Sequence, residues 1–166
     1  MAGYGEDATF AAWLTDNGYT LPVTAPAPAV LRNRGSQYID AVYGDRFIGL
    51  IAAFDQERQW PRTGASLRGV AIPSDVVPLA VINASFYAAY QEATNPGSLS
   101  VVGSSATAVK RVKVGQIEKE YQGSSSEDGS AAFLTPLISV VDGMLAPYLR
   151  DLDAQCFGIW SIGGRC

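Results

Sequence analysis

Hydrophobic residues recur along this chain at two spacings, and the shift between them divides it. Phe10, Trp13 and Leu14 share a face at i, i+3, i+4, which predicts a short amphipathic helix from Asp7, stopped by Asn17-Gly18. Leu21 to Pro28 is a Pro/Ala linker, extended because each pre-proline residue avoids the α region. Val30, Leu31, Arg34, Tyr38, Ile39 and Val42 keep a 3.6-residue period, so a second helix is expected from Pro28 to about Tyr43. Gly35 lies inside it and costs about 1 kcal/mol relative to Ala, so tertiary packing must hold this helix.

Beyond Gly44-Asp45, the apolar run from Phe47 to Phe54 fits a short helix and a buried strand equally well. Trp60-Pro61-Arg62-Thr63-Gly64 marks a turn, and the segment to Ile72 reads as loop. Pro73-Ser74-Asp75 is expected to open the strongest helix, with Ser74 or Asp75 at its cap and Pro78 in its first turn. Val76, Leu79, Val81, Ile82, Phe86, Tyr87 and Tyr90 make it apolar on more than one side, the pattern of a central helix. Asn95 to Thr107 is a Gly/Ser/Thr-rich loop. From Ala108 to Gln122 the period becomes two, with Val112, Val114, Ile117 and Tyr121 alternating with charges, which predicts two short strands or one bulged ribbon. After a Gly/Ser linker, a last helix is expected from about Thr135 to Leu149, with Pro136 at its start. The fold class that follows is mainly α: a small bundle of about four helices with a short β-ribbon at about 108–122. One domain covers 1–152, and an extended C-terminal tail covers 153–166.

Composition narrows the chemistry. The 166 residues contain no histidine, which removes the commonest general base and zinc ligand and any Ser-His-Asp or Cys-His arrangement. Only 17% of residues are charged, against about 25% usually, and 12 basic residues face 16 acidic ones for a net charge of −4. That balance lacks the electrostatic footprint of a duplex-binding protein, although a local basic patch can still meet phosphates. Cys156 and Cys166 are read as free thiols of a reducing cytoplasm. Met1 to Asp7 has no basic or apolar signal region, and no apolar run approaches the roughly 18 residues of a membrane helix. A cytoplasmically made, soluble protein without membrane contact is therefore expected.

Few constellations point to chemistry. In the ribbon, basic residues fill the first arm and acidic ones dominate the second, so a hairpin would set Lys110, Arg111 and Lys113 against Glu118 and Glu120. Such a ribbon is either a solvated hairpin, a dipolar element pairing between subunits, or a weak, salt-sensitive phosphate contact. Trp60-Pro61-Arg62 reads either as an exposed recognition element or as a loop anchor, the arginine satisfying carbonyls or a carboxylate; the anchor is the expectation. Asp55/Glu57 and Glu118/Glu120 are ordinary surface acids, and no Gly-rich phosphate loop with its lysine is present. No catalytic, metal or cofactor site is expected. In the tail, Phe157, Trp160 and Arg165 stand among glycines with Ile159 and Ile162, so its apolar residues either fold back or bury in a partner.

The order of these motifs resembles a known family. Tyr38-Ile39-Asp40-Ala41-Val42-Tyr43-Gly44 is followed by Asp55-Gln56, Trp60-Pro61-Arg62-Thr63-Gly64 and Ile72-Pro73-Ser74-Asp75-Val76-Val77. Then come Val112 to Tyr121 and Leu145-Ala146-Pro147-Tyr148-Leu149. Over about residues 7–150 this resembles a tailed-phage family of DnaT-like single-stranded-DNA-binding proteins, itself similar in element order to siphophage head–tail connector, or adaptor, proteins. The longer Pro/Ala linker and the Phe/Trp-containing tail depart from that pattern.

The connector resemblance implies a virion protein of the neck, assembled in the host cytoplasm into a homo-oligomeric ring, dodecameric, beneath the portal protein. The ring would extend the DNA channel, receive a tail-side stopper or tail-completion protein, and pass the genome without sequence-specific binding. The tail would dock on the portal or on a neighbouring subunit. The DnaT-like resemblance implies single-strand binding in replication, which calls for a basic groove interleaved with exposed aromatics. Trp13, Tyr38, Phe86, Tyr87 and Tyr90 instead lie at core spacing in an acidic chain. Low charge suits subunits that lose lateral surface to neighbours, so the connector is the expected function.

Overall fold

The computed structural model describes residues 2–100, 111–114, 117–120 and 136–150, and of the two short strands it describes the backbone only. Helix α1 spans Asp7–Asp16, and Thr9 Oγ1 organises its start, accepting from the Glu6 N–H at 3.0 Å and donating to the Glu6 carbonyl at 2.8 Å. It ends at Gly18 (φ 69°), where the Tyr19 N–H donates to the Leu14 carbonyl and the Gly18 N–H to that of Thr15, the paired bonds of a Schellman stop. Helix α2 spans Pro28–Tyr43, with proline in its first turn where the missing N–H costs nothing.

Helix α3 spans Leu79–Thr94, six residues later than Pro73. Pro78 is the reason: it drives Val77 out of the α region and itself sits outside the helix at ψ 139°. The residues before it form a turn, and Val76 and Leu79 face solvent. Helix α4 is also shorter than expected, Ser139–Leu145, and tightens into a 3₁₀ turn over Ala146–Tyr148 because Pro147 cannot donate to an α-helical ladder.

Between α2 and α3 the chain makes a 3₁₀ turn, Gly44–Arg46, and then two small antiparallel hairpins. Strand β1 (Leu50–Ile51) pairs with β2 (Arg62–Thr63), and β3 (Ser66–Leu67) pairs with β4 (Val70–Ala71). The run from Phe47 to Phe54 is thus neither a helix nor a buried strand. Phe47 is buried, whereas Leu50, Ile51 and Phe54 are exposed. The stretch to Ile72 likewise contains a hairpin rather than only loop. Strands β5 (Arg111–Val114) and β6 (Ile117–Glu120) form the anticipated ribbon.

The bundle is built on α2 against α3. At the crossing a Cβ on Gly35 would overlap the Ser85 carbonyl oxygen and lie 2.8 Å from the Ala89 nitrogen, so the two backbones touch and only glycine fits. The packing demanded by that glycine is therefore present. One apolar cluster joins Phe10, Leu14 and Leu31 to Phe86, Ala89 and Ala93. The other gathers Tyr38, Ile39 and Tyr43 with Phe47, Trp60, Val81, Val141 and Leu145, bringing α4 and the hairpin loop onto the helical pair.

Candidate functional site

The hairpin arms are held by polar groups buried at their base. Trp60 is only 2% exposed and packs edge-on against Phe47 and Tyr148, following a cis peptide to Pro61. Arg62, also buried, donates from Nε to the Ile48 carbonyl at 2.9 Å and from its terminal nitrogens to the Gly49 and Gln59 carbonyls at 3.0 and 3.2 Å. Burial first, and then the nearby Arg150 charge, lower its proton affinity, yet its donors are matched to carbonyls that a short loop leaves unpaired. Trp60, Pro61 and Arg62 therefore lie at the root of the loop and do not form an exposed recognition surface.

A second buried network ties the N-terminal segment to the same root. Tyr4 Oη donates to Asp40 Oδ1 at 2.5 Å and accepts the Trp60 N–H at 3.2 Å. Arg58 reaches Asp40 Oδ2 at 3.3 Å, bonds Asn33 Oδ1, and donates to the Ala2 carbonyl at 2.9 Å. Arg32 clamps the carbonyls of Gly3, Tyr4 and Gly5 and pairs with Asp7 at 2.7 Å. Desolvation raises the Asp40 carboxyl above its ordinary value despite these partners, and raises the Tyr4 phenol, which also faces the Asp40 charge. The polar atoms of this buried Asp, Tyr and Arg group are matched to backbone and to one another. The network is a clasp.

What the clasp presents is apolar. Ala65 joins the hairpins: the Ile72 N–H donates to its carbonyl at 2.9 Å, and Gly49 packs on its Cβ. From this joint the arms carry Leu50 (71% exposed), Phe54 (94%) and Val70 (71%) into solvent, and Leu79 (69%) follows at the start of α3. Beneath β4 a groove of about 410 Å³ is lined by Leu67, Val70, Ile72, Pro73, Pro78 and Tyr148. Isolated exposed apolar residues are ordinary; here Leu50, Phe54 and Val70 share two short hairpins rooted in the core.

The other predicted residues lie elsewhere. In the ribbon the register sets Arg111 opposite Glu120 and Lys113 opposite Glu118. Lys110, Phe157, Trp160, Arg165, Cys156 and Cys166 fall outside the described residues. Among the aromatics, Tyr38 and Phe86 are buried as their spacing predicts, but Trp13, Tyr87 and Tyr90 are only half-buried. With Tyr19, stacked on Tyr90 at 4.3 Å, they form a four-ring group that core spacing alone did not reveal. Among the described residues there is no cluster of acidic or thiol side chains able to hold a metal ion, and no helix long and apolar enough to cross a membrane.

A family model described as "Putative DnaT-like ssDNA binding protein" matches residues 3–160. The chain belongs to this family. The match spans both hairpins, all four helices and the ribbon. No curated protein and no solved structure matches the chain. The described surface of this DnaT-like family member places its apolar hairpin arms and its four-ring aromatic group on different elements.

Proposed function

We propose that this chain is a structural subunit of a tailed-phage particle: a head–tail adaptor that assembles as a homo-oligomeric ring, twelve-fold, between the portal protein and a tail-side stopper or tail-completion protein. Its place is the neck of the virion, and it carries no catalytic centre. The observation that carries this reading is the pair of apolar hairpin arms rooted by Trp60, Arg62 and Asp40. Burying such arms in an adjacent copy removes apolar area from water at about 25 cal/mol per Å², and a rigid root means little is lost to ordering. The low charge fits the same use, since interface cores are depleted in charge. Genomic DNA passes such a ring without base-specific contacts.

Purified particles test it. The chain is expected in the virion at a fixed ratio to the portal protein. Its absence from particles, with abundance in infected cells, contradicts the reading.

A second reading has a specific observation in its favour. The family description names single-stranded DNA, and Trp13, Tyr19, Tyr87 and Tyr90 offer half-exposed rings on which bases can stack. The acidic chain and the Asp7 and Asp16 carboxylates of α1 oppose it. Fluorescence anisotropy with labelled oligo-dT at physiological salt separates the two, and saturable binding lost in Trp13→Ala favours the replication role.

A further inference from the structure

Two arginines, Arg46 and Arg150, take no part in the clasp and line a separate pocket. The 3₁₀ turns at Gly44–Arg46 and Ala146–Tyr148 are clipped together by backbone bonds. The Ile48 N–H donates to the Tyr148 carbonyl at 2.9 Å, the Arg150 N–H donates to the Arg46 carbonyl at 2.6 Å, and Phe47 bridges Leu149 between them. The clip puts Arg46 and Arg150 on the wall of one pocket of about 230 Å³, completed by Asp142, Ala146 and Leu149. At about 30 Å³ per water, that space holds several waters or one small oxyanion.

The two guanidinium groups are held differently. Arg150 bonds the Asp45 carbonyl through one terminal nitrogen, which fixes its orientation. Arg46 has no side-chain hydrogen bond or ion pair with any described residue, and its Nε is buried without an acceptor. An anion held by the outer nitrogens of that guanidinium would offset the cost of leaving the charge unpaired. Arg62 adds a third positive charge close enough to Arg150 to be felt, but its own donors are taken by Ile48, Gly49 and Gln59. Asp142 is the one carboxylate on the pocket wall, against two guanidinium groups. A tetrahedral oxyanion that presents two adjacent oxygens to each guanidinium matches that imbalance and the planar fork of arginine.

We propose that this pocket binds an oxyanion of the phosphate class, with Arg46 and Arg150 as its ligands. Two sources share that chemistry, a phosphodiester of a DNA strand and free phosphate. The site stands independently of whether the chain assembles into a ring.

Titration of the full chain with inorganic phosphate, followed by calorimetry, tests the proposal. Saturable binding is expected, weakened at least about tenfold in Arg46→Gln and in Arg150→Gln, the loss of one charge-assisted bond. Asp142→Asn, an exposed substitution that leaves the core untouched, is expected to tighten it by removing the like charge. Competition by a short oligo-dT assigns the site to a phosphodiester, and its failure to compete assigns it to free phosphate. Absence of saturable phosphate binding overturns the proposal, as does binding unchanged in Arg150→Gln or weakened in Asp142→Asn. If Arg46→Gln does not fold, the two exposed variants decide alone.

Discussion

Gly35 of α2 lies against the Ser85 carbonyl of α3 so closely that no Cβ fits between them. Replacing it with alanine sets two effects against each other. Alanine improves helix propensity by about 1 kcal/mol, but the methyl meets backbone on the opposite helix, not a side chain that can swing away. Overpacking of that kind costs about 1–3 kcal/mol and occasionally more. The clash wins, and Gly35→Ala is expected to lower the melting temperature of the chain in calorimetry. An unchanged or raised value would show that the helices part without penalty.

Tyr4 joins three segments distant in sequence through one hydroxyl, donating to Asp40 and accepting from the Trp60 N–H. Tyr4→Phe keeps the ring and deletes the oxygen. It leaves a buried backbone donor and one carboxylate oxygen short of a partner, a loss of about 1–3 kcal/mol. Chemical denaturation reads this directly, and a loss under about 0.5 kcal/mol, the range of an ordinary surface change, would mean that water replaces the phenol.

The pH dependence follows from the same pair. Burial raises the Asp40 carboxyl above 3.8, so the folded protein holds that proton more tightly than the unfolded chain. Its contribution to stability is fully present below the unfolded value and is lost as pH rises through the folded one. Tyr4 behaves likewise from pH 10 upward, its phenol raised by burial and by Asp40. Asp40 thus opposes the usual acid destabilisation, and Tyr4 adds an alkaline loss. NMR titration is expected to find the Asp40 carboxyl above 3.8; a value below it would mean that the Arg58 ion pair outweighs desolvation.

Arg32 holds the N-terminal segment by three carbonyls and the Asp7 carboxylate. Lysine keeps the charge but not the planar fork. Arg32→Lys is expected to speed amide exchange at Tyr4, whose N–H donates to Ser36 Oγ at 2.8 Å, while α3 amides stay protected. Equal acceleration in α3 would mean that the clasp and the bundle open as one unit.

Periodicity carried the helices well where no proline intervened. The span of α2 follows from its apolar spacing and from Pro28, and the stop of α1 from Asn17-Gly18. The start of α3 did not follow, because the apolar pattern runs through Val76 while the backbone restriction of Pro78 acts on Val77. The ribbon register follows from its charges, since Arg111 and Lys113 meet Glu120 and Glu118 only in one alignment.

The clasp was not legible, for a physical reason. Tyr4, Asp40 and Arg58 lie tens of residues apart, and a buried ion pair leaves no local period. Arg32, Arg62 and Glu92 are buried as well, each matched by partners that hydropathy cannot see. Trp60-Pro61-Arg62 pointed to an anchor, yet not to the arms that it roots. The exposure of Leu50 and Phe54 was hidden because an apolar run reads as core until something shows that no core covers it.

Those arms give the most direct test. Phe54 is almost fully exposed in the single chain, so Phe54→Asp should leave monomer stability within about 0.5 kcal/mol. Any large effect therefore belongs to assembly. Native mass spectrometry of the full chain is predicted to find a closed oligomer of about twelve copies, reduced to monomer by Phe54→Asp combined with Leu50→Asp. A wild-type chain that remains monomeric at high concentration, or an oligomer indifferent to both substitutions, would contradict assembly through the hairpin arms.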